Sequence, residues 1–211
     1  MQYLGLIFTV ALIHLLAVMS PGPDFIMTIR NSLMYSRATG IYSAIGLGLG
    51  ILVHVTYCLI GLAVIISKSI VIFSVLKYAG AAYLLYIGFK SLRAKPAGDY
   101  SLESADKQDL TKLQAVRTGF ITNVTNPKAT LFFLSLFTLV IHPSTPLAIR
   151  LIIGGEMVLA TMVWFAFVAA VVSHRLVRNR ITRIQHRLEQ VMGGILILFG
   201  LKVATEHSIH P

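Results

Sequence analysis

The chain has 211 residues, of which 56% are hydrophobic and only 12% charged, and its mean hydropathy is +0.79. A soluble domain carries about 25% charged residues, so that class is excluded. The net charge of +10 is spread over short connections between apolar runs, so membrane topology explains it and no nucleic-acid partner is expected.

A bilayer span needs about 20 mostly apolar residues, and six candidates follow in chain order: 3–29, 40–66, 70–89, 116–141, 151–172 and 188–204. The first carries Ser20-Pro21-Gly22-Pro23-Asp24 inside it. Two prolines remove two backbone donors, and the glycine between them lets the chain unwind. Such a break is tolerated in a membrane only where it is buried in protein or lines a wet cavity. The apolar run before it lacks a basic leader, so a cleavable signal peptide is not expected. The second span holds Gly46, Gly48 and Gly50. The GxxxG spacing from Gly46 to Gly50 admits close approach of a neighbouring helix, either within the chain or across a homodimer face. The fourth span is interrupted at Asn126-Pro127-Lys128. Before it, Asp109 to Leu113 reads as an amphipathic turn along the interface. The lone Cys58 excludes a disulfide framework and a CxxC redox pair.

Lys and Arg set the orientation. The connections after spans one, three and five hold thirteen of them, and the opposite side holds Lys68, Arg150 and Lys202. The positive-inside bias therefore predicts both termini outside and the long basic connections in the cytoplasm. An internal repeat accompanies this pattern. The stretch from Leu76 to Lys90 reads like that from Leu188 to Lys202, 112 residues on, each with a small pair, an apolar run and a Gly-apolar-Lys end. The break at Pro21 has its counterpart at Pro127. Three spans per half require the halves to be inverted, so the expected architecture is all-α, with two inverted three-helix repeats, 1–94 and 116–211, joined by a linker, 95–115. Matching breaks in inverted halves point to a transport site at the repeat interface.

Ser20 to Asp24, Arg37, Gly40, Gly46 to Gly50, Leu76 to Leu84, Gly119, Asn123 and Asn126 to Ala129 resemble the lysine exporter / homoserine-threonine resistance (LysE/RhtB) family of bacterial amino-acid efflux proteins, a likeness that runs along nearly the whole chain. The resemblance implies a bacterial inner-membrane protein that exports amino acids or close derivatives, driven by the proton gradient. It implies no enzyme activity and no cofactor. Span two reads Leu52-Val53-His54 where the lysine branch leads one to look for an acid, which argues against a strongly cationic substrate.

An amino acid in transit presents a carboxylate and an ammonium. The half-helix resuming after Pro23 offers unpaired backbone donors to the carboxylate, and Lys128 offers a point charge. Asp24 and Glu156, the two acids inside apolar segments, suit the ammonium. The expected substrate-binding set is Pro21, Gly22, Pro23, Asp24, Asn123, Asn126, Pro127, Lys128 and Glu156. Asp24, Glu156, His54 and His14 are the candidates for proton coupling, the histidines because imidazole titrates near physiological pH. Each has a structural alternative: Asp24 as a cap of its half-helix, Asp24 with Lys128 as a fixed ion pair, Glu156 as a local hydrogen bonder, the histidines as packing groups. No metal-ligand spacing occurs inside the spans. The competing function classes are a multi-pass enzyme acting on lipids, whose convergent catalytic groups are not apparent here, and efflux of another small metabolite or ion.

Overall fold

The computed structural model describes residues 3–20, 22–68, 70–93, 109–139 and 145–172, with a series of helical positions between 187 and 205. Its elements are α1 (Leu4–Met19), α2 (Pro23–Met34), α3 (Arg37–Lys68), α4 (Ile70–Leu92), α5 (Lys112–Val124), α6 (Pro127–Leu139) and α7 (Leu147–Val172). No strand occurs among the described residues.

Both expected breaks are present, and each has a local cause. Proline disfavours the helical conformation for the residue before it. Gly22 is accordingly extended, at φ −174° and ψ −172°, and Pro23 opens α2 at its first position. The axes of α1 and α2 differ by 57°. At the second break Asn126 precedes Pro127, and its Oδ1 accepts from the Lys128 backbone N–H at 3.0 Å, a side-chain cap on α6. Upstream, Thr111 and Gln114 form a reciprocal capping box that starts α5 at Lys112. The stretch around Asp109 to Leu113 expected as an interfacial turn is thus in part the beginning of α5, and the expected linker 95–115 ends inside a helix; residues 95–108 lie outside the described ones. Helix ends elsewhere overrun the hydropathy boundaries. Among the described residues α3 and α7 are each long and apolar enough to cross a membrane, the α1–α2 pair makes a third span if taken as one, and α6 is a shorter apolar helix.

Small residues bring the helices together. An added Cβ on Gly46 would stand 2.0 Å from the Val116 backbone oxygen, and one on Gly119 2.0 Å from that of Ser43. The α3 and α5 backbones therefore touch. Gly50 lies over the Asn123 side chain, 2.5 Å from Cβ position to Oδ1. The GxxxG face of span two thus serves packing within the chain. Around this seam α3 also packs on α7 and α2, and α1 packs on α7. Phe133, Phe137, Leu136, Met157, Ile51 and Val10 fill one buried cluster, and Phe25, Leu47 and Phe165 anchor a second. Trp164 and Tyr83 sit in aromatic contacts, with Phe167 at 6.0 Å and Tyr86 at 6.2 Å.

The two stretches of similar sequence, around Gly88 and around Gly200, face one another. A Cβ on Gly88 would meet Gly193 O at 2.8 Å and Ile197 Cγ1 at 2.6 Å, while one on Gly200 would meet Ala81 O at 3.2 Å and Leu85 side-chain atoms at 3.1 Å. In the 112-residue register Gly88 matches Gly200, Ala81 matches Gly193, and Leu85 matches Ile197. The two contacts thus pair matching positions of the two stretches reciprocally.

Candidate functional site

The two breaks meet. Asp24 and Lys128 each follow the proline that opens their half-helix, α2 or α6, and each reaches across to the other break. Asp24 Oδ2 accepts from Asn123 Nδ2 at 2.7 Å and Asp24 Oδ1 from Asn126 Nδ2 at 3.0 Å. Lys128 Nζ donates to the Ser20 backbone oxygen at 2.8 Å. That oxygen is freed because α1 has ended. Gly22 leaves room for the lysine to pass: a Cβ there would stand 3.3 Å from Lys128 Cδ, a tight contact.

Around this crossing lies a cavity of about 40 Å³, lined on its polar side by Ser20, Gly22, Asp24, Asn123, Asn126 and Lys128 and on its apolar side by residues that include Ala17, Ile51, Phe132, Phe133 and Phe165. That space holds a few water molecules. Its wall contains three buried polar atoms with no hydrogen-bond partner, His14 Nδ1, Ser20 Oγ and Asn123 Oδ1, where unmet hydrogen-bonding capacity is costly.

Of the residues expected at the site, Gly22, Asp24, Asn123, Asn126 and Lys128 converge on this cavity, with Pro23 and Pro127 shaping the helix starts beside it. Pro21 lies outside the described residues. His14 lines the cavity, fully buried, with its Nε2 3.4 Å from Thr161 Oγ1 and its Nδ1 unpartnered. Glu156 does not line it. Phe165 of α7 does, and nine residues at about 100° each put Glu156 on the opposite face of that helix. Gly154 beside it packs on Val55, and the Gly155 Cβ position meets nothing within 4 Å. His54 sits one layer behind the cavity, its Nε2 3.1 Å from the Asn123 backbone oxygen and its Nδ1 2.8 Å from the Tyr57 hydroxyl. Tyr57 stands three residues from His54, a spacing that shares a helix face; that was the available signal for the pair. Ser20 stood at the start of the first break but was not among the residues expected at the site, and nothing local marked Thr161.

At the other end of α3, the Asp109 carboxylate accepts from the Ser36 and Thr39 hydroxyls, and Lys112 lies over the Tyr42 ring at 5.4 Å. Together they tie the start of α5 to the α2–α3 turn. The Ser36 and then the Thr39 hydrogen bond hold the Asp109 carboxyl below its usual range.

The LysE type translocator model matches residues 15–207. The chain belongs to that family. Three similar proteins cover nearly its whole length. The threonine efflux protein of Salmonella typhi is 30% identical over 94% of this chain and 97% of its own. The homoserine/homoserine lactone efflux protein of Salmonella typhimurium is 29% identical over 94% and 95%. The uncharacterized membrane protein YahN of Escherichia coli is 31% identical over 89% and 83%. No solved structure matches. As a LysE-type translocator with apolar spanning helices, the chain is a multi-pass membrane protein.

Proposed function

We propose that this LysE-type translocator exports small neutral amino acids from the bacterial cytoplasm across the inner membrane by proton-coupled antiport. The observation that carries the reading is the crossing itself: an acid and a base, each beside the N-terminus of a half-helix, share one small cavity. Asp24 suits the substrate ammonium. Lys128 and the N-terminal turn of α2, which has no side-chain cap, suit its carboxylate. The Ala17, Phe132 and Phe165 wall leaves room for a modest side chain, and threonine and homoserine, named for two relatives, fit that description.

Alternating access follows from the repeat reading, which the reciprocal contacts of Gly88 and Gly200 support. The two halves rock about the crossing, with both termini outside in the orientation that the basic connections favour. A cavity this small must widen to admit an amino acid, so the two breaks separate on binding. Protonation of Asp24 from outside would release the ammonium, and return to the inward side would deliver the proton. Glu156 faces away from this path and is assigned no part in it.

Everted membrane vesicles test the proposal directly. Uptake of a labelled amino-acid panel, followed with and without a pH gradient, is expected to depend on the gradient and to collapse with a protonophore. Uptake that ignores the gradient would remove the coupling, and uptake of none of the panel by folded protein would remove the substrate class.

A further inference from the structure

His54 is 1% exposed, stacks on Phe133 with ring centroids 5.4 Å apart and planes 14° apart, and uses both ring nitrogens. Nε2 lies 3.1 Å from the Asn123 backbone oxygen. A carbonyl only accepts, so this nitrogen carries a hydrogen. Nδ1 lies 2.8 Å from the Tyr57 hydroxyl, which can donate or accept. The same hydroxyl reaches the Thr130 backbone oxygen at 3.4 Å. The ring is therefore satisfied in both protonation states. When it is neutral, the Tyr57 O–H donates to Nδ1. When Nδ1 takes a proton, Nδ1–H donates to the Tyr57 oxygen and the Tyr57 hydrogen turns to Thr130 O. One hydroxyl rotates and no bond is lost. A histidine that only packs has no use for this arrangement.

Its partners lie on both sides of the second break. Asn123 is in the last turn of α5 and Thr130 in the first turn of α6. Asn123 also holds Asp24 through its side-chain amide at 2.7 Å. A proton on His54 makes its bond to the Asn123 carbonyl charge-assisted, hence stronger and shorter. It thereby alters the hold of the break on the substrate-binding carboxylate.

We infer that His54 is a positioning residue for proton coupling, which sets through Asn123 how Asp24 is held. The inference rests on the proton-coupled export proposed above. On the helices that surround it, the titratable and charged groups include Asp24 from α2, Lys128 from α6 and His14 from α1 at the cavity, and Arg150 and Glu156 from α7. Tyr57 and Cys58 stand on α3 itself, Lys112 and Arg117 in the first half of α5, and Tyr78, Tyr83, Tyr86 and Lys90 on α4.

The test compares the unaltered protein with His54→Gln and Tyr57→Phe in everted vesicles, with labelled threonine and homoserine as probes. Gln keeps an N–H for the Asn123 oxygen and takes up no proton. Gradient-driven accumulation in His54→Gln is expected to fall at least about tenfold relative to counterflow at equal pH, and its pH profile to flatten. Tyr57→Phe is expected to move the profile midpoint by about half to one pH unit. An unchanged accumulation-to-counterflow ratio and an unchanged profile in His54→Gln overturn the inference and leave export standing. Should His54→Gln fail to reach the membrane, Tyr57→Phe decides, and an unmoved midpoint overturns it. If the unaltered protein accumulates neither probe under a gradient, the coupling proposal and this inference fall together.

Discussion

Replacing Asp24 by Asn separates its binding role from its structural one, because the surrounding amides allow the exchange. Asp24 accepts from Asn123 at 2.7 Å and from Asn126 at 3.0 Å. An asparagine has one oxygen, so one contact would become donor against donor. Asn126 cannot turn its amide, since its Oδ1 caps α6 at Lys128 N, 3.0 Å away. Asn123 can, because its Oδ1 has no hydrogen-bond partner. After that flip both contacts are satisfied, each as a neutral hydrogen bond about 1 kcal/mol weaker than the charged one, with relief from burying a charge offsetting part of the loss. Asp24→Ala instead leaves two buried amides unpaired, at about 1–3 kcal/mol each. Melting of the detergent-solubilised protein should therefore fall clearly for Asp24→Ala and little for Asp24→Asn. Binding should behave differently. Asp24→Asn removes the charge that holds the ammonium, about 1.5–3 kcal/mol, or roughly 10- to 150-fold in apparent substrate affinity in vesicle uptake. An Asp24→Asn protein that melts as low as Asp24→Ala would refute the flip. One with full affinity and intact proton coupling would refute the site.

The remaining predictions use other contacts. Lys128→Met should lower uptake by a similar factor to Asp24→Asn, since it removes both the cation and the bond to Ser20 O at 2.8 Å; saturable uptake of unchanged affinity would count against a carboxylate-binding role. Gly50→Ala places a methyl 2.5 Å from Asn123 Oδ1 and should weaken substrate affinity by pushing that amide off Asp24. Gly119→Val, whose Cβ would stand 2.0 Å from Ser43 O, should destabilise by at least about 1–3 kcal/mol, whereas Gly155→Ala, with nothing within 4 Å, should gain up to about 1 kcal/mol from helix propensity; thermal melting compares the two. The Asp109 carboxyl is held below its usual range by the Ser36 and Thr39 hydroxyls, so its stabilising contribution is complete above the unfolded value of about 3.9 and is lost as pH falls through the lower folded value. Asp109→Ala should melt below the unaltered protein at pH 7, and the gap should close as pH falls below the ordinary carboxylate range.

Backbone chemistry is local, and what depended on it was legible in the residues. Pro23 and Pro127 remove donors and force the preceding residue out of the helix, so both breaks stand where the prolines put them. Composition alone excluded a soluble domain, and an acid or a base directly after each break singled out Asp24 and Lys128. The pairings were not legible. These helices are apolar on nearly every side, because lipid is as apolar as a protein core, so periodicity does not mark which face turns inward. Glu156 and Phe165 therefore read alike until α7 is docked with Phe165 at the cavity. The Gly46–Gly50 face pointed to close packing of a helix, within the chain ahead of a second copy, but which helix it met was open until the α3 and α5 backbones touched at Gly119. The reach of Asp24 to Asn123 and Asn126, and of Lys128 to Ser20, spans about a hundred residues of chain. It exists only because helix packing brings two unwound segments to the same depth, where each supplies the polar groups that the other lacks.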